Sequence, residues 1–203
     1  MGIYGICKVL LGQWNNEIID KWSLVFELVV SKVDWNLIRA ETEQLLTHLS
    51  HTSQPVQGRY AAVKMIAILA RIKGTLIEGP IFNRAVHLSK DYEPQIRLLL
   101  SKECFVDLHK AIGTMVNRNI LFEKILELFY DPDLKVKIET INVLVQIVGQ
   151  LKVEAKREKI ADIFVELSSN FNEEIILSLS NNLSKIILEV NPLYNSGRWA
   201  ILS

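Results

Sequence analysis

The stretches IFNRAVHLSKDYEPQIR (residues 81–97) and LFEKILELFYDPDLKVK (residues 121–137) decide the fold of this chain. A shift of forty residues aligns them without a gap, so that apolar positions fall on apolar positions and the turns coincide. Self-similarity at such a period is typical of repeat architectures, and it predicts a unit copied along the chain. The matched pairs are Ile81 with Leu121, Phe82 with Phe122, Ala85 with Ile125, Leu88 with Leu128, Asp91 with Asp131, Ile96 with Val136 and Arg97 with Lys137.

Each unit reads as a helix, a short turn and a second helix. Apolar residues recur at spacings of three and four, which indicates amphipathic helices, and strand signals are nearly absent. Pro94 and Pro132 cannot continue a helix interior, so the first helix ends before them. The acidic residue beside each proline can bond backbone N–H groups at the start of the second helix.

Residues 159–175 repeat the pattern once more, and residues 43–59 repeat it loosely. The sequence therefore predicts an all-α chain, an α-α superhelix of antiparallel helix pairs in which each pair buries its apolar face against its neighbours. The predicted organisation comprises N-terminal helices in residues 1–34, an irregular tail in residues 191–203, and four units between them at residues 35–74, 75–113, 114–152 and 153–190.

The repeated turn resembles that of HEAT repeats, whose units run near forty residues with an Asp in the turn and a base after it. Asp91 with Arg97, and Asp131 with Lys137, match that motif. The resemblance implies that the acids and bases of adjacent repeats form a hydrogen-bonded ladder along one edge. The outer units depart from the motif: Asn170 and Ile176 replace acid and base in the last unit, and the first unit keeps only Arg59, displaced by one or two positions.

The run ILFEKILELFYDPDLKVKIETINVLVQIV (residues 120–148) resembles the HEAT-repeat scaffold and regulatory subunits of serine/threonine protein phosphatases 2A and 4. The resemblance implies a non-catalytic role in holding a phosphatase catalytic subunit, with the turns inside each repeat as the docking ridge. Solvated turn residues without a partner remain the alternative for each position. The ridge would comprise Asp91, Tyr92, Glu93, Asp133, Leu134, Asn172 and Glu173.

Composition narrows the classes of function. The formal net charge is +0 with Lys and Arg interleaved among acids, so no basic stripe for nucleic acid is present. No apolar run approaches the roughly 20 residues of a membrane span. Cys7 and Cys104 lack metal-ligand spacing and fit a reducing, cytoplasmic compartment.

No nucleophile elbow, phosphate loop or paired metal-binding histidines occur, so we expect no enzymatic activity, cofactor or metal. A HEAT-repeat adaptor in intracellular transport or chromosome organisation is the alternative function.

The two ends of the chain depart from the repeat. Residues 1–14 (MGIYGICKVLLGQW) read as a first amphipathic helix, and three of the four tryptophans, Trp14, Trp22 and Trp35, lie in the first 35 residues. They fit packing of the first helices against the array, or else a partner surface rich in Trp. The last predicted helix would leave an apolar edge where a further unit should stack. We therefore expect the chain to belong to a longer array or to a hetero-complex.

Overall fold

The computed structural model describes residues 15–151, 154–169 and 172–190, and the fold is all-α. None of these residues lies in a β-strand. The described chain forms one short 3₁₀ helix, Gly74–Ile77, and the α-helices α1 (Asn16–Lys32), α2 (Trp35–Leu49), α3 (Val56–Lys73), α4 (Pro80–Leu88), α5 (Pro94–Glu103), α6 (Phe105–Ala111), α7 (Met115–Phe129), α8 (Leu134–Val148), α9 (Glu154–Ser168) and α10 (Glu173–Val190).

The chain divides into two compact units, Met1–Leu128 and Phe129–Ser203. The division falls at the end of α7, whose last residue opens the second unit. The helices are distributed over the four predicted units as follows. Residues 35–74 hold α2 and α3, residues 75–113 hold α4 to α6, residues 114–152 hold α7 and α8, and residues 153–190 hold α9 and α10.

Helix α3 lies at the centre of the first unit, where it packs against α1, α2, α4, α5 and α6. It is apolar almost all round, which is typical of a helix enclosed by others. Four alanines let neighbouring helices approach closely, and larger side chains fill the remaining space. Its buried apolar residues are Ala61, Ala62, Val63, Met65, Ile66, Ala67, Ile68, Leu69 and Ala70.

Helices two places apart in the chain pack against each other within each unit. In the first unit α1 contacts α3 and α3 contacts α5, while α2 contacts α4. In the second unit α8 contacts α10, and both contact the intervening α9. Each of α1, α2, α3 and α8 is therefore covered by the helix two places later in the chain, which buries apolar area that would otherwise lie in water.

One detail differs from the pattern read from sequence, which assigns two helices to each unit. The second helix of the 75–113 unit is divided at Cys104 into α5 and α6. Trp14, Asn170, Trp199 and the 191–203 tail lie outside the described residues.

Candidate protein-binding turns

The turn between α4 and α5 is organised by the buried carboxylate of Asp91. Its backbone N–H donates to the carbonyl of Leu88 at 3.1 Å, which closes the turn after α4. Its Oδ1 accepts the backbone N–H of Glu93 at 2.9 Å, immediately before α5 begins at Pro94. The carboxylate thus forms an Asx turn immediately before α5, whose N-cap residue Glu93 makes no side-chain cap hydrogen bond.

Arg59, from the first turn of α3, supplies the countercharge to Asp91. Its Nε donates to Asp91 Oδ2 at 2.6 Å, and its Nη2 donates to Oδ1 at 3.2 Å, a two-pronged arrangement that fixes the relative position of both groups. The exposed fractions of the two side chains are 0% and 1%. A third donor, Nη1, bonds the carbonyl of Gln54 at the end of the preceding loop. The ion pair therefore joins the helix pair α2/α3 to the helix pair α4/α5.

Burial of the Arg59 guanidinium and the neighbouring Asp91 carboxylate shift the pKa of Arg59 in opposite directions. Burial alone lowers the pKa of Arg59, but the hydrogen bonds and negative charge of Asp91 outweigh it and raise that pKa above its ordinary value. The guanidinium is consequently charged at every pH at which the protein folds. Its outer face lies 4.4 Å from the ring centroid of Tyr92, which adds a cation–π contact.

The turn between α7 and α8 contains the same type of hydrogen bond as the turn between α4 and α5. Asp131 is buried, and its Oδ1 accepts the backbone N–H of Asp133 at 2.9 Å, as Asp91 does for Glu93. Asp133 then caps α8 by accepting the N–H groups of Lys135 at 3.0 Å and Val136 at 3.1 Å. Before the turn, the hydroxyl of Tyr130 donates to the carboxylate of Glu166 in α9 at 3.3 Å.

Helix α10 begins with the same kind of cap. Asn172 Oδ1 accepts the N–H groups of Glu174 at 3.0 Å and Ile175 at 3.2 Å. An amide at this position satisfies backbone donors nearly as well as a carboxylate does. Asn170, which replaces the turn acid, lies outside the described residues.

The predicted ridge residues differ in what they offer to a partner. Asp91 lies in the interior and is engaged by Arg59, so its carboxylate holds the turn together and is not displayed. Glu93, Asp133 and Leu134 are half-buried, and Asp133 and Asn172 act as caps. Tyr92 is 64% exposed, and Glu173 is also exposed. Tyr92 and Glu173 are therefore the ridge positions best placed for contact.

The predicted ladder bases share one place in the structure. Arg59, Arg97 and Lys137 are each the fourth residue of their helices, which begin at Val56, Pro94 and Leu134. The apparent displacement of Arg59 in the sequence alignment thus disappears when residues are counted from the start of the helix. Arg97 is buried and donates from Nη1 to the Asp91 carbonyl at 2.6 Å, whereas Lys137 is half-buried.

Sequence reasoning missed Arg59 as the partner of Asp91. Counting back from Arg97 to the helix start after Glu93, and applying the same count after Pro55, would have identified it. The alignment at a fixed shift hid this relation because the loop before α3 differs in length from the turn before α5.

A groove of about 430 Å³ lies in the first unit between α1, α3 and α5. Two ion pairs cross it: Lys64 joins Asp20 at 3.2 Å, and Arg71 joins Glu27 at 2.8 Å. Lys64 also bonds Glu103 at 2.6 Å, so one ammonium serves two carboxylates. The groove is a second concave surface, and its charges are already largely matched internally.

The described residues contain no group of three or more His, Cys, Asp or Glu side chains arranged to hold a metal ion. Within the same part of the chain, no helix combines the length and apolar character needed to cross a membrane. No family model matches the chain, and no curated protein sequence matches it.

Proposed function

We propose that the chain is a series of stacked HEAT-like helix pairs that acts as a non-catalytic scaffold for a protein partner. The observation that carries the proposal is the buried Arg59–Asp91 pair, which joins a base in one helix pair to the turn acid of the next. That is the relation between adjacent units that the HEAT resemblance implied.

The packing of the helices supports the stacked arrangement. Helix α3 contacts α5 and helix α8 contacts α10, as second helices of adjacent units would in a stacked array. The common position of Arg59, Arg97 and Lys137 supports a single repeated unit. An array of this kind offers a long surface and a row of turns, which suits the binding of other proteins.

The partner we propose is the catalytic subunit of a serine/threonine protein phosphatase, encountered in the cytoplasm. This part of the proposal rests on the resemblance of residues 120–148 to the scaffold A subunit of protein phosphatase 2A and especially to protein phosphatase 4 regulatory subunit 4. The contact surface would be the ridge of turns, with Tyr92 and Glu173 as its most accessible side chains. Tyr92 is a good anchor because its ring is held in place by the Arg59 guanidinium.

Binding of the purified full chain to purified catalytic subunits of phosphatases 2A and 4, measured by biolayer interferometry, tests the proposal. We expect a saturable complex with one of them. Tyr92→Ala should weaken it about tenfold or more, as truncation of an aromatic anchor at an interface typically does. Lys90→Ala is the matched control, because Lys90 is exposed in the same turn and should leave affinity within about twofold.

Absence of binding to both catalytic subunits, by a chain that circular dichroism shows to be folded, would remove the phosphatase from the proposal. Binding of a transport or chromosome-organising protein at the same turns would instead support the adaptor role. The stacking part is tested separately by the Arg59 and Asp91 variants described in the Discussion.

A further inference from the structure

Each connection that leads to the first helix of a predicted unit in Met1–Leu128 exposes a large apolar side chain. Leu37, in the first turn of α2, is 77% exposed. Leu76, in the 3₁₀ helix between α3 and α4, is 52% exposed, and Val116, in the first turn of α7, is 67% exposed. The three positions recur with the period of the units, about forty residues. We name these three side chains the connection row.

Contacts between the connections place the row along one edge of the first unit. The Lys73 ammonium, at the end of α3, lies 5.7 Å from the centroid of the Trp35 ring at the start of α2. Glu78, two residues after Leu76, accepts the N–H of Thr114 at 3.0 Å, at the start of α7. Residues that flank each member of the row are therefore in contact with those that flank the next. A single exposed apolar residue is ordinary, but a series at equivalent positions along one edge indicates a binding surface.

The middle of the row is held in place by its backbone. Gly74 and Gly79, which bound the segment that carries Leu76, have φ values of +54° and +97°. Few other residues adopt such values, so the segment enters and leaves the 3₁₀ helix in fixed directions. The hydrogen bonds of Glu78 fasten the same segment to α7. A surface organised in this way loses little conformational entropy when a partner binds.

Basic side chains accompany the row. The helix before each connection has a lysine in its last turn, namely Lys32, Lys73 and Lys110. The acids of the connections, Asp34 and Glu78, accept backbone N–H groups at helix starts, where the helix dipole offsets their negative charge. Asp107 lies 3.5 Å from Lys110, but solvent screens that partly exposed pair. Each unit therefore presents one base and one large apolar side chain, which is complementary to an acidic, apolar ligand.

The expected spacing of the row selects the conformation of the ligand. Packed helices lie about 8–10 Å apart, so equivalent side chains of adjacent units are separated by a similar distance. A polyproline II segment advances about 9 Å in three residues, which places every third side chain over the next unit. An α-helical ligand would present an apolar face more than about 100° wide, which is broader than a row one side chain across. The row therefore fits an extended segment better than a helix.

We propose that the connection row binds an extended segment of a partner protein that has an apolar side chain at every third residue and acidic residues between them. The connections precede the first helices, whereas the turns that carry Tyr92 and the other ridge residues follow them. The inference does not depend on the phosphatase, and this surface is distinct from the ridge of turns.

Fluorescence anisotropy with the full chain and a labelled synthetic peptide, three consecutive copies of Glu-Pro-Leu, tests the proposal. The control peptide has the same composition, but its three leucines are adjacent. We expect saturable binding of the spaced peptide, at least about fivefold tighter than that of the control, because only its leucines match the spacing of the row. Tyr92→Ala should leave this affinity unchanged, which separates the inference from the proposed phosphatase contact.

Leu76→Ser should weaken binding of the spaced peptide about tenfold, since a large apolar contact is lost. Leu37→Ser gives an independent variant at a second position of the row. The matched control is Leu24→Ser, because Leu24 is 68% exposed but lines the groove between α1, α3 and α5. Leu24→Ser should leave the affinity within about twofold. Circular dichroism checks that each variant is folded.

The charges are tested with the same peptide. Lys32→Gln combined with Lys110→Gln should weaken binding and make it less sensitive to salt, because screened attraction between exposed charges is removed. Lys21→Gln is the control, since Lys21 is 74% exposed on α1 and is paired with Glu17. It should change neither the affinity nor its salt dependence.

Equal affinities for the two peptides would overturn the proposal, and so would an absence of saturable binding. An equal loss in Leu24→Ser and Leu76→Ser would also overturn it, because the contact would then not involve the connection row. Binding of the chain to phosphatidylserine vesicles without binding of the spaced peptide would overturn it in favour of a membrane surface.

Discussion

Arg59 and Asp91 are 32 positions apart in sequence, and their side chains form a buried ion pair with a 2.6 Å contact between Nε and Oδ2. The pair links a helix start to the turn of the following helix pair. The same carboxylate also accepts the Glu93 N–H immediately before α5. Loss of the Arg59–Asp91 ion pair should therefore destabilise both helix pairs.

We expect Arg59→Leu to destabilise the protein by about 3–5 kcal/mol, because it leaves the Asp91 carboxylate buried without its countercharge. Asp91→Asn retains an acceptor for the Glu93 N–H but leaves the Arg59 guanidinium buried without its countercharge. It should lower the free energy of unfolding by a similar amount. Urea denaturation followed by circular dichroism measures both. The double variant should cost clearly less than the sum, since neither charge is then left alone.

The exposed pair of Lys21 with Glu17 is the matched control for that experiment. Both side chains are 74% exposed, and the ion pair is 2.7 Å long. Lys21→Ala should change the free energy of unfolding by less than about 1 kcal/mol, because solvent screens such pairs. Equal effects of Lys21→Ala and Arg59→Leu would contradict the structural role of the buried pair.

Glu78 makes stability dependent on pH in the acid range. Its carboxylate accepts the N–H of Thr114 at 3.0 Å and also that of Gly113, at the start of α7. These hydrogen bonds lower the pKa of Glu78 below its ordinary value of 4.5. The stabilisation of the fold by the ionised Glu78 carboxylate is therefore present above pH 4.5 and is lost as pH falls through the lowered pKa. Glu78→Gln should lower the melting temperature at neutral pH, and the difference from the unsubstituted chain should shrink in acid. A difference that stays constant with pH would show that the charge is not responsible.

Ile125 should not tolerate a charge. The residue is fully buried in α7, so Ile125→Asp places an unpaired carboxylate in an apolar interior and should cost about 4 kcal/mol or more, or prevent folding. Ile120 lies in the same helix and is 38% exposed. Ile120→Asp should cost less than about 1 kcal/mol, because the new charge remains in water. Thermal and urea unfolding of both variants measure the contrast, and equal losses would refute the orientation of α7.

Two glycines should respond in opposite senses to alanine. Gly58 is inside α3, and an added Cβ would meet Gln54 Cβ at 3.5 Å, an ordinary contact. Gly58→Ala should stabilise the protein by about 0.5–1 kcal/mol, because alanine favours the helix. Gly79 has φ +97°, which a residue with a Cβ rarely adopts, so Gly79→Ala should destabilise by about 1–2 kcal/mol. The melting temperatures of the two variants test these expectations. A higher melting temperature for Gly79→Ala would contradict the backbone geometry.

Helix formation and the sites of the turns were predictable because they depend on neighbours in the sequence. Apolar spacing of three and four sets a helix face, and proline cannot donate a backbone hydrogen bond, so Pro94 marks the first turn of α5. Asp91 and Asp131 lie in the turns before α5 and α8, and both accept an N–H two residues later. These are local hydrogen bonds that a short segment already specifies.

Only the tertiary structure determined which basic residue forms the ion pair with Asp91 and which structural role the Asp91 carboxylate has. The base is Arg59, brought from an earlier helix pair by the packing of α3 against α4 and α5. The same packing removes Asp91 from solvent, so a turn acid predicted to face a partner lies in the interior, and Tyr92 beside it is exposed instead. Burial of this kind depends on which helices come together across the chain, and the energy of a charge pair depends strongly on how much water remains around it. The sequence by itself determined helices, turns and their repetition; the packing of helices distant in sequence determined the ion pair and the exposed surface.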